Sequence, residues 1–396
     1  MFRALAHRNF RRFFVSQAIS ILGTWLQQIA LAWLVYRTTG SAFLLGVVTF
    51  ANQGPILVIA PISGLLADRF DRRRLLIFTQ SLAAVQAALL AALTLSGLIQ
   101  PWHIVTLAIL YGIAMGLDAP VRHSLFVEML ADREDLPNAI ALNSFLMNAA
   151  RLVGPSIAGV ALLFVSEGTC FALNALSYLA VLWVARTLPA PKRASIGPIA
   201  GYAAALKEAA AYAWHEKTIR YLLAIVASTA FFASSYMVLM PVFAKDIFGG
   251  GSDTLGFLVG AAGLGAVAGT GYLAARGNPA ALSRRLVFTS AMAGLALAAV
   301  GLTSQFWLAL PLMACVGFGI IVTAASSNMI LQSMVPDAKR GRIVSFYAAA
   351  FLGVMPLGGL AAGALASQVG APATAISFGA CCFLSGVLLG GRLRKI

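Results

Sequence analysis

Few residues in this chain could do chemistry, and their types favour electrostatics over catalysis. Only 13 carboxylates occur in 396 residues. Asp118 is followed one helical turn later by Arg122, a spacing that puts both on one helix face and makes a local ion pair available. Arg151 sits alone in an apolar run, where an unpaired cation is expensive. The four histidines, His7, His103, His123 and His215, include no pair at metal-ligand spacing, so no metal site is expected. No nucleophile has a base and an orienting acid in view, and no Gly-rich phosphate loop is followed by Lys. The residues therefore describe neither an enzyme nor a direct user of ATP, and no cofactor is expected.

The elements that position these residues are apolar. Hydrophobic residues make up 60% of the chain and charged residues 10%, with a mean hydropathy of +0.88. Soluble domains run near a quarter charged, so a soluble globule is excluded. A helix of about 20 apolar residues crosses the hydrocarbon core. Apolar runs near 13–36, 42–66, 75–98, 102–121, 138–165, 168–187, 220–244, 254–275, 284–303, 306–334, 342–366 and 371–391 predict twelve such spans. Cys170, Cys315, Cys381 and Cys382 fall within these runs and read as small buried hydrophobes without disulfides. The basic opening MFRALAHRNFRRFF lacks a cleavage site and reads as the lead into the first helix.

A net charge of +15 would suggest nucleic acid in a soluble protein, but the positions of the charges decide otherwise. With the N-terminus in the cytoplasm, 25 of the 28 Lys and Arg fall in cytoplasmic segments. Only Arg37 and Lys245 fall outside, and Arg151 lies within a span. One missed span would scatter the basic residues over both faces, so the pattern requires an even number of helices and cytoplasmic termini. The expected location is a bacterial cytoplasmic (inner) membrane, with the bilayer and not nucleic acid as the surrounding partner.

The predicted organisation is an N-terminal six-helix bundle over 1–187, a linker over 188–218 and a C-terminal six-helix bundle over 219–396. The linker starts with LPAPKRASIGP and continues through an Ala-rich stretch in which Tyr202, Leu206, Tyr212 and Trp214 alternate with Lys and Glu. That stretch reads either as an interfacial helix or as a solvated linker helix. The two halves look like distant repeats: GLLADR closes helix 2 where GYLAAR closes helix 8.

The loop GLLADRFDRRR, residues 64–74, resembles the loop 2–3 signature of the major facilitator superfamily. The opening HRNFRRFFVSQAISILGTWLQQIALAWLVYRTTGS is similar to the branch of enterobactin exporters and macrolide efflux proteins. The resemblance implies an all-α integral membrane protein with twelve helices in two pseudo-symmetric bundles. It also implies a cytoplasmic gate at Gly64, Asp68, Arg69, Arg72 and Arg73, to which Asp118, Arg122 and Arg342 can be joined as a charge network. Asp68 beside the N-terminus of helix 11 is favourable on dipole grounds as well. Helix 5 carries Gly154-Pro155 and Gly159, similar to an exporter signature, and Pro356 lies in helix 11; these are the expected hinge and packing positions. Many relatives place an acid in helix 1 where this chain has Thr24, a departure that weighs against proton antiport through that helix.

Gln27 and Gln28, Asn52 and Gln53, Asn148, Tyr236 and Asn328 are deep enough to face a central cavity, with Arg151 among them. Each singly reads as helix–helix glue; as a set they describe a large, sparsely polar pocket. Arg151 either pairs with a buried acid, bonds helix carbonyls, or faces anionic or strongly hydrogen-bond-accepting cargo. The expected function is an alternating-access, monomeric exporter of amphiphilic small molecules, drug-like compounds or siderophores, with protons as the driving ion. The alternative is a lysophospholipid transporter of the same fold.

Overall fold

The structure, a computed structural model, describes residues 3–69, 71–130, 133–187, 210–275 and 282–393; within these, side chains at 60–69, 119, 120, 123, 124, 126–128, 133, 148, 282–284, 337 and 338 are not described. Among the described residues every regular element is a helix. The first six long helices are α1 (Arg8–Thr39), α2 (Ala42–Arg69), α3 (Arg72–Leu95), α4 (Pro101–Met129), α5 (Leu136–Ala161) and α6 (Glu167–Thr187). Next come α7 (Lys217–Ile247), α8 (Ser252–Ala275), α9 (Leu282–Leu302) and α10 (Phe306–Met334). The last two are α11, built from Asp337–Ala348, a π-helical turn at Ala349–Gly353 and Met355–Val369, and α12 (Ala371–Leu393). Eleven of them are long and apolar enough to cross a membrane, and α5, at 26 residues, supplies a twelfth of sufficient length.

Local chemistry sets the helix ends. Asp71 caps α3 by accepting from the amides of Arg73 and Arg74 at 2.9 and 3.2 Å. Gln100 and His103 close a capping box around Pro101 at the start of α4. Gly40 ends α1 at φ 61, a left-handed conformation that glycine adopts without a Cβ clash.

The chain divides into two compact units: Met1–Gly40 with Val48–Gly197, and Ser41–Val47 with Pro198–Ile396. In the first, α1 packs on α5 and α6, and α3 on α4 and α6. In the second, α10 packs on α8 and α9, and α9 on α12. The end of the linker, 210–215, is helical: Ala213 is buried, Tyr212 packs beside the cluster of Ile219, Leu222 and Ile343, and Trp214 is exposed. Tyr202 and Leu206 lie outside the described residues.

Two helices of the second unit depart from regular α geometry. In α7, π-helical turns occupy Thr229–Ala233 and Phe243–Ile247; α11 has its own at Ala349–Gly353. Such widened turns displace side chains and leave the helical ladder out of register. Pro356, expected as a hinge position, is buried in the first turn after the π-helical turn of α11, where a missing amide matters least. By contrast, α5 runs unbroken through Gly154-Pro155. Of the cysteines, all of them free, Cys170 and Cys382 are buried but Cys381 is exposed, which corrects the uniformly buried reading: a membrane protein turns apolar side chains outward too.

Candidate functional site

A polar column runs through the first unit, assembled from residues whose apolar neighbours force them to satisfy one another. Asp118 on α4 is 1% exposed. Its Oδ1 accepts from Thr79 Oγ1 at 3.0 Å and from Gln80 Nε2 at 2.7 Å, both on α3, while Oδ2 pairs with Arg122 on its own helix. The carboxylate thus has a cation and two neutral donors, the set a buried charge needs. Gln80 Oε1 and Arg122 Nε stay buried without a hydrogen-bond partner among the described residues. A second cluster lies further along. Gln27 on α1 donates to Gln86 on α3 at 3.1 Å and accepts from Asn174 on α6 at 2.8 Å, and Ser177 donates to Asn174 at 3.1 Å. Thr24 stands 3.4 Å from the Tyr178 hydroxyl, next to this second cluster in sequence.

Two clasps tie the ends of the same helices. Arg37 Nε reaches Glu167 Oε1 at 2.7 Å, joining the end of α1 to the start of α6. Arg73 Nε donates to the Ala185 carbonyl at 2.9 Å and its Nη2 to that of Arg186, capping the last turn of α6. Expected among the gate residues, Arg73 is seen in this capping role. Gly64, Asp68 and Arg69 lie outside the residues whose side chains are described. Arg72 opens α3, and Arg342 is half-buried near the start of α11 in the second unit. Among the described residues, the side chains bonded to Asp118 belong to α3 and α4.

Gln27 also differs from expectation, because depth along a helix says nothing of direction around it: it faces α3 and α6 inside the first unit, not a cavity. Gln28, Asn52 and Gln53 are half-buried, and Asn148 lies outside the described side chains. Tyr236 and Asn328 are half-buried in the second unit, and Asn328 accepts from Gln332 at 3.1 Å. Arg151 is exposed and has no hydrogen bond or ion pair among the described residues. At 1.5 Å per residue it lies about 22 Å from the start of α5 and about 15 Å from its end, far from either terminus. Thr79, Gln80, Gln86, Asn174 and Glu167 were missed from sequence. The α3 members had a signal, since Leu76, Gln80, Ala83, Gln86 and Leu90 recur at three to four residues, one buried stripe.

Small residues bring α5 against α1. A Cβ on Gly154 would lie 2.6 Å from Cγ of Trp25, so glycine is required for the indole to fit. Gly154→Val is expected to lower stability by about 1–3 kcal/mol through overpacking, read as earlier thermal unfolding in detergent. Pairing it with Trp25→Ala should restore most of the loss; no recovery would refute the indole contact as its cause.

The second unit holds uncharged clusters of this kind. Thr229 and Ser290 are 3.0 Å apart, Thr289 and Thr323 also 3.0 Å, and Tyr347 donates to the Ala324 carbonyl at 2.8 Å.

Comparison with known proteins agrees with this architecture. The chain is 28% identical to the Staphyloferrin A transporter of Staphylococcus aureus over 88% of its length and 87% of the relative's. It is 26% identical to the Multidrug efflux pump Tap of Mycolicibacterium fortuitum, covering 92% and 91%. It is likewise 26% identical to the Enterobactin exporter EntS of Shigella boydii, covering 97% and 91%. Among solved structures, a bacterial homologue of the iron transporter ferroportin in an inward-facing state superposes with a TM-score of 0.75 over 98% of each chain at 14% identity, a likeness of fold. The family model for transmembrane secretion effectors matches residues 1–395, and the chain belongs to this family of major facilitator transporters.

Proposed function

We propose that this transporter exports amphiphilic small molecules, of the siderophore or drug-like kind, across a bacterial inner membrane by alternating access. Protons moving inward drive it, and both termini are cytoplasmic. The observation that carries the cargo class is Arg151, an exposed guanidinium far from both ends of a membrane-length helix. A cation held at such depth needs a compensating partner, and anionic or acceptor-rich cargo supplies one during the cycle. The relatives named as moving staphyloferrin A, enterobactin and multiple drugs support the same range. Asp118 supports proton coupling as the carboxylate most deeply enclosed among the described ones, with Arg122 able to compete with a proton for it. Asp68, Arg69 and Arg342 complete a cytoplasmic latch in this reading, closing while the cavity faces outward.

The test is transport in proteoliposomes with a catecholate siderophore and, separately, a cationic dye. An imposed pH gradient should drive cargo opposite to proton flow, and a protonophore should abolish that movement. Arg151→Gln is expected to raise KM for the anionic cargo about tenfold, the effect of losing roughly 1.4 kcal/mol of binding, and to leave the dye unaffected. Transport indifferent to the gradient would remove proton coupling. Equal loss for both cargoes would remove the role of Arg151 in selection.

A further inference from the structure

A groove of about 360 Å³ lies on the outer face of the first unit between α1 and α6. Its walls are Val15, Ile19, Ala180, Val184 and the exposed face of Trp183. Arg11 and Arg12 stand at one end, where α1 begins. The Arg12 guanidinium lies 6.0 Å from the Trp183 ring centroid. Neither arginine has a carboxylate partner among the described residues.

The helix faces flanking the groove repeat this division. On α1, exposed positions run from Arg8 and Arg11 to Val15, Ile19 and Leu22, cationic for one turn and apolar thereafter. On α6, Leu176, Leu179 and Trp183 are exposed and apolar up to the exposed Arg186 near its end. Both helices thus change from apolar to cationic at the same end of the bundle, with the indole at the transition. An aromatic ring at that level marks the membrane interface. Arginines just beyond it sit where phosphates of the lipid headgroups lie, and basic pockets between helices on the cytoplasmic side hold anionic headgroups.

We infer that this groove binds one anionic phospholipid of the leaflet facing the basic ends of α1 and α6. Arg11 and Arg12 hold the headgroup phosphate through charge-assisted hydrogen bonds, and one acyl chain lies along Val15, Ile19, Ala180 and Trp183. Charge complementarity selects the occupant: a neutral zwitterionic lipid brings its own cation to a site with two arginines and no carboxylate, whereas an anionic lipid brings none.

The experiment uses the full chain in nanodiscs containing phosphatidylcholine, with brominated-chain phosphatidylglycerol or brominated-chain phosphatidylcholine added in increasing fraction. Bromine quenches nearby indoles, and subtracting the Trp183→Phe protein isolates Trp183. Half-maximal quenching by phosphatidylglycerol is expected at a mole fraction at least fivefold lower than by phosphatidylcholine. Arg11→Gln with Arg12→Gln should remove that preference, whereas Arg74→Gln, a charge of the same membrane face outside the groove, should leave it intact. Equal quenching by the two lipids would overturn the inference. So would an equal loss of preference in Arg74→Gln, which would assign it to the general field of the basic face. Displacement by millimolar inorganic phosphate would mean a site for a free anion and would also overturn it.

Discussion

Replacing Asp118 with alanine is expected to destabilise the first unit by about 3–5 kcal/mol, the range for removing one member of a buried ion pair. The size follows from what stays behind. The Arg122 guanidinium, 15% exposed, loses its carboxylate, and its Nε is already without a partner among the described residues. Gln80 loses its acceptor, whereas the Thr79 hydroxyl can turn to the Leu76 carbonyl 3.0 Å away. Gln80 Oε1 is itself unpartnered, so Gln80 would have neither end of its amide bonded. Thermal unfolding of purified protein in detergent would read the loss as a lower Tm and as little folded protein recovered. The decisive comparison is the double variant Asp118→Ala with Arg122→Ala. Removing both charges avoids a stranded buried cation, so the double variant should be more stable than Asp118→Ala alone. A double variant that simply adds the two single losses would show that the pair is not coupled. Asp118→Asn separates stability from transport: it keeps an oxygen for Thr79 and Gln80 but cannot take up and release a proton. It should fold better than the alanine variant while losing gradient-driven movement.

Gly317→Val and Gly265→Val should each prevent recovery of folded protein. A Cβ on Gly265 would overlap the Ala314 carbonyl oxygen and lie 2.6 Å from its carbonyl carbon; one on Gly317 would do the same at Ala262. The obstacles are backbone atoms of the facing helix, and backbone cannot rotate aside as a side chain can. The only relief is to part α8 from α10 along their contact, which forfeits the close packing that holds membrane helices together. Gly271, also on α8, has nothing within 4 Å of its would-be Cβ among the described residues. Gly271→Ala is therefore expected to be neutral or stabilising by up to about 1 kcal/mol, since alanine is the better helix former. Expression and monodispersity by size-exclusion chromatography would check all three. Well-folded Gly317→Val protein would show that the helices part without penalty.

The helices were legible because the signal for each is local. The run 306–334 coincides with Phe306–Met334, and the runs 220–244 and 371–391 lie within Lys217–Ile247 and Ala371–Leu393. The Asp118–Arg122 pair was legible for the same reason, being set by one turn of helix. The π-helical turns of α7 and α11 were not legible, because Thr229–Ala233 and Ala349–Gly353 contain residues any apolar helix would contain. Azimuth was the other blind spot. A glutamine at the middle of a span reads the same whether it points into a cavity or at a neighbouring helix, and Gln27 took the second course. The bond from Arg73 to the end of α6 was not legible either, since only the fold brings that end beside it. The need for Gly154 was likewise visible only once Trp25 was seen against it.

The bond from Asn174 to Gln27 spans 147 residues. At 5–20 residues per second, the ribosome reaches the second partner about 7–30 s after the first. Through that interval α1 sits in lipid, or beside the insertion machinery, with an amide that its final neighbours cannot yet fully satisfy. Gln86 on α3 arrives earlier and can take the donor end, leaving the carbonyl end to wait for α6. The order of synthesis thus imposes an order of assembly: α1 with α3 first, and α6 as the element that seals the bundle and releases it from its escorts. A nascent chain halted before residue 174 should remain associated with whatever shields polar groups in the membrane.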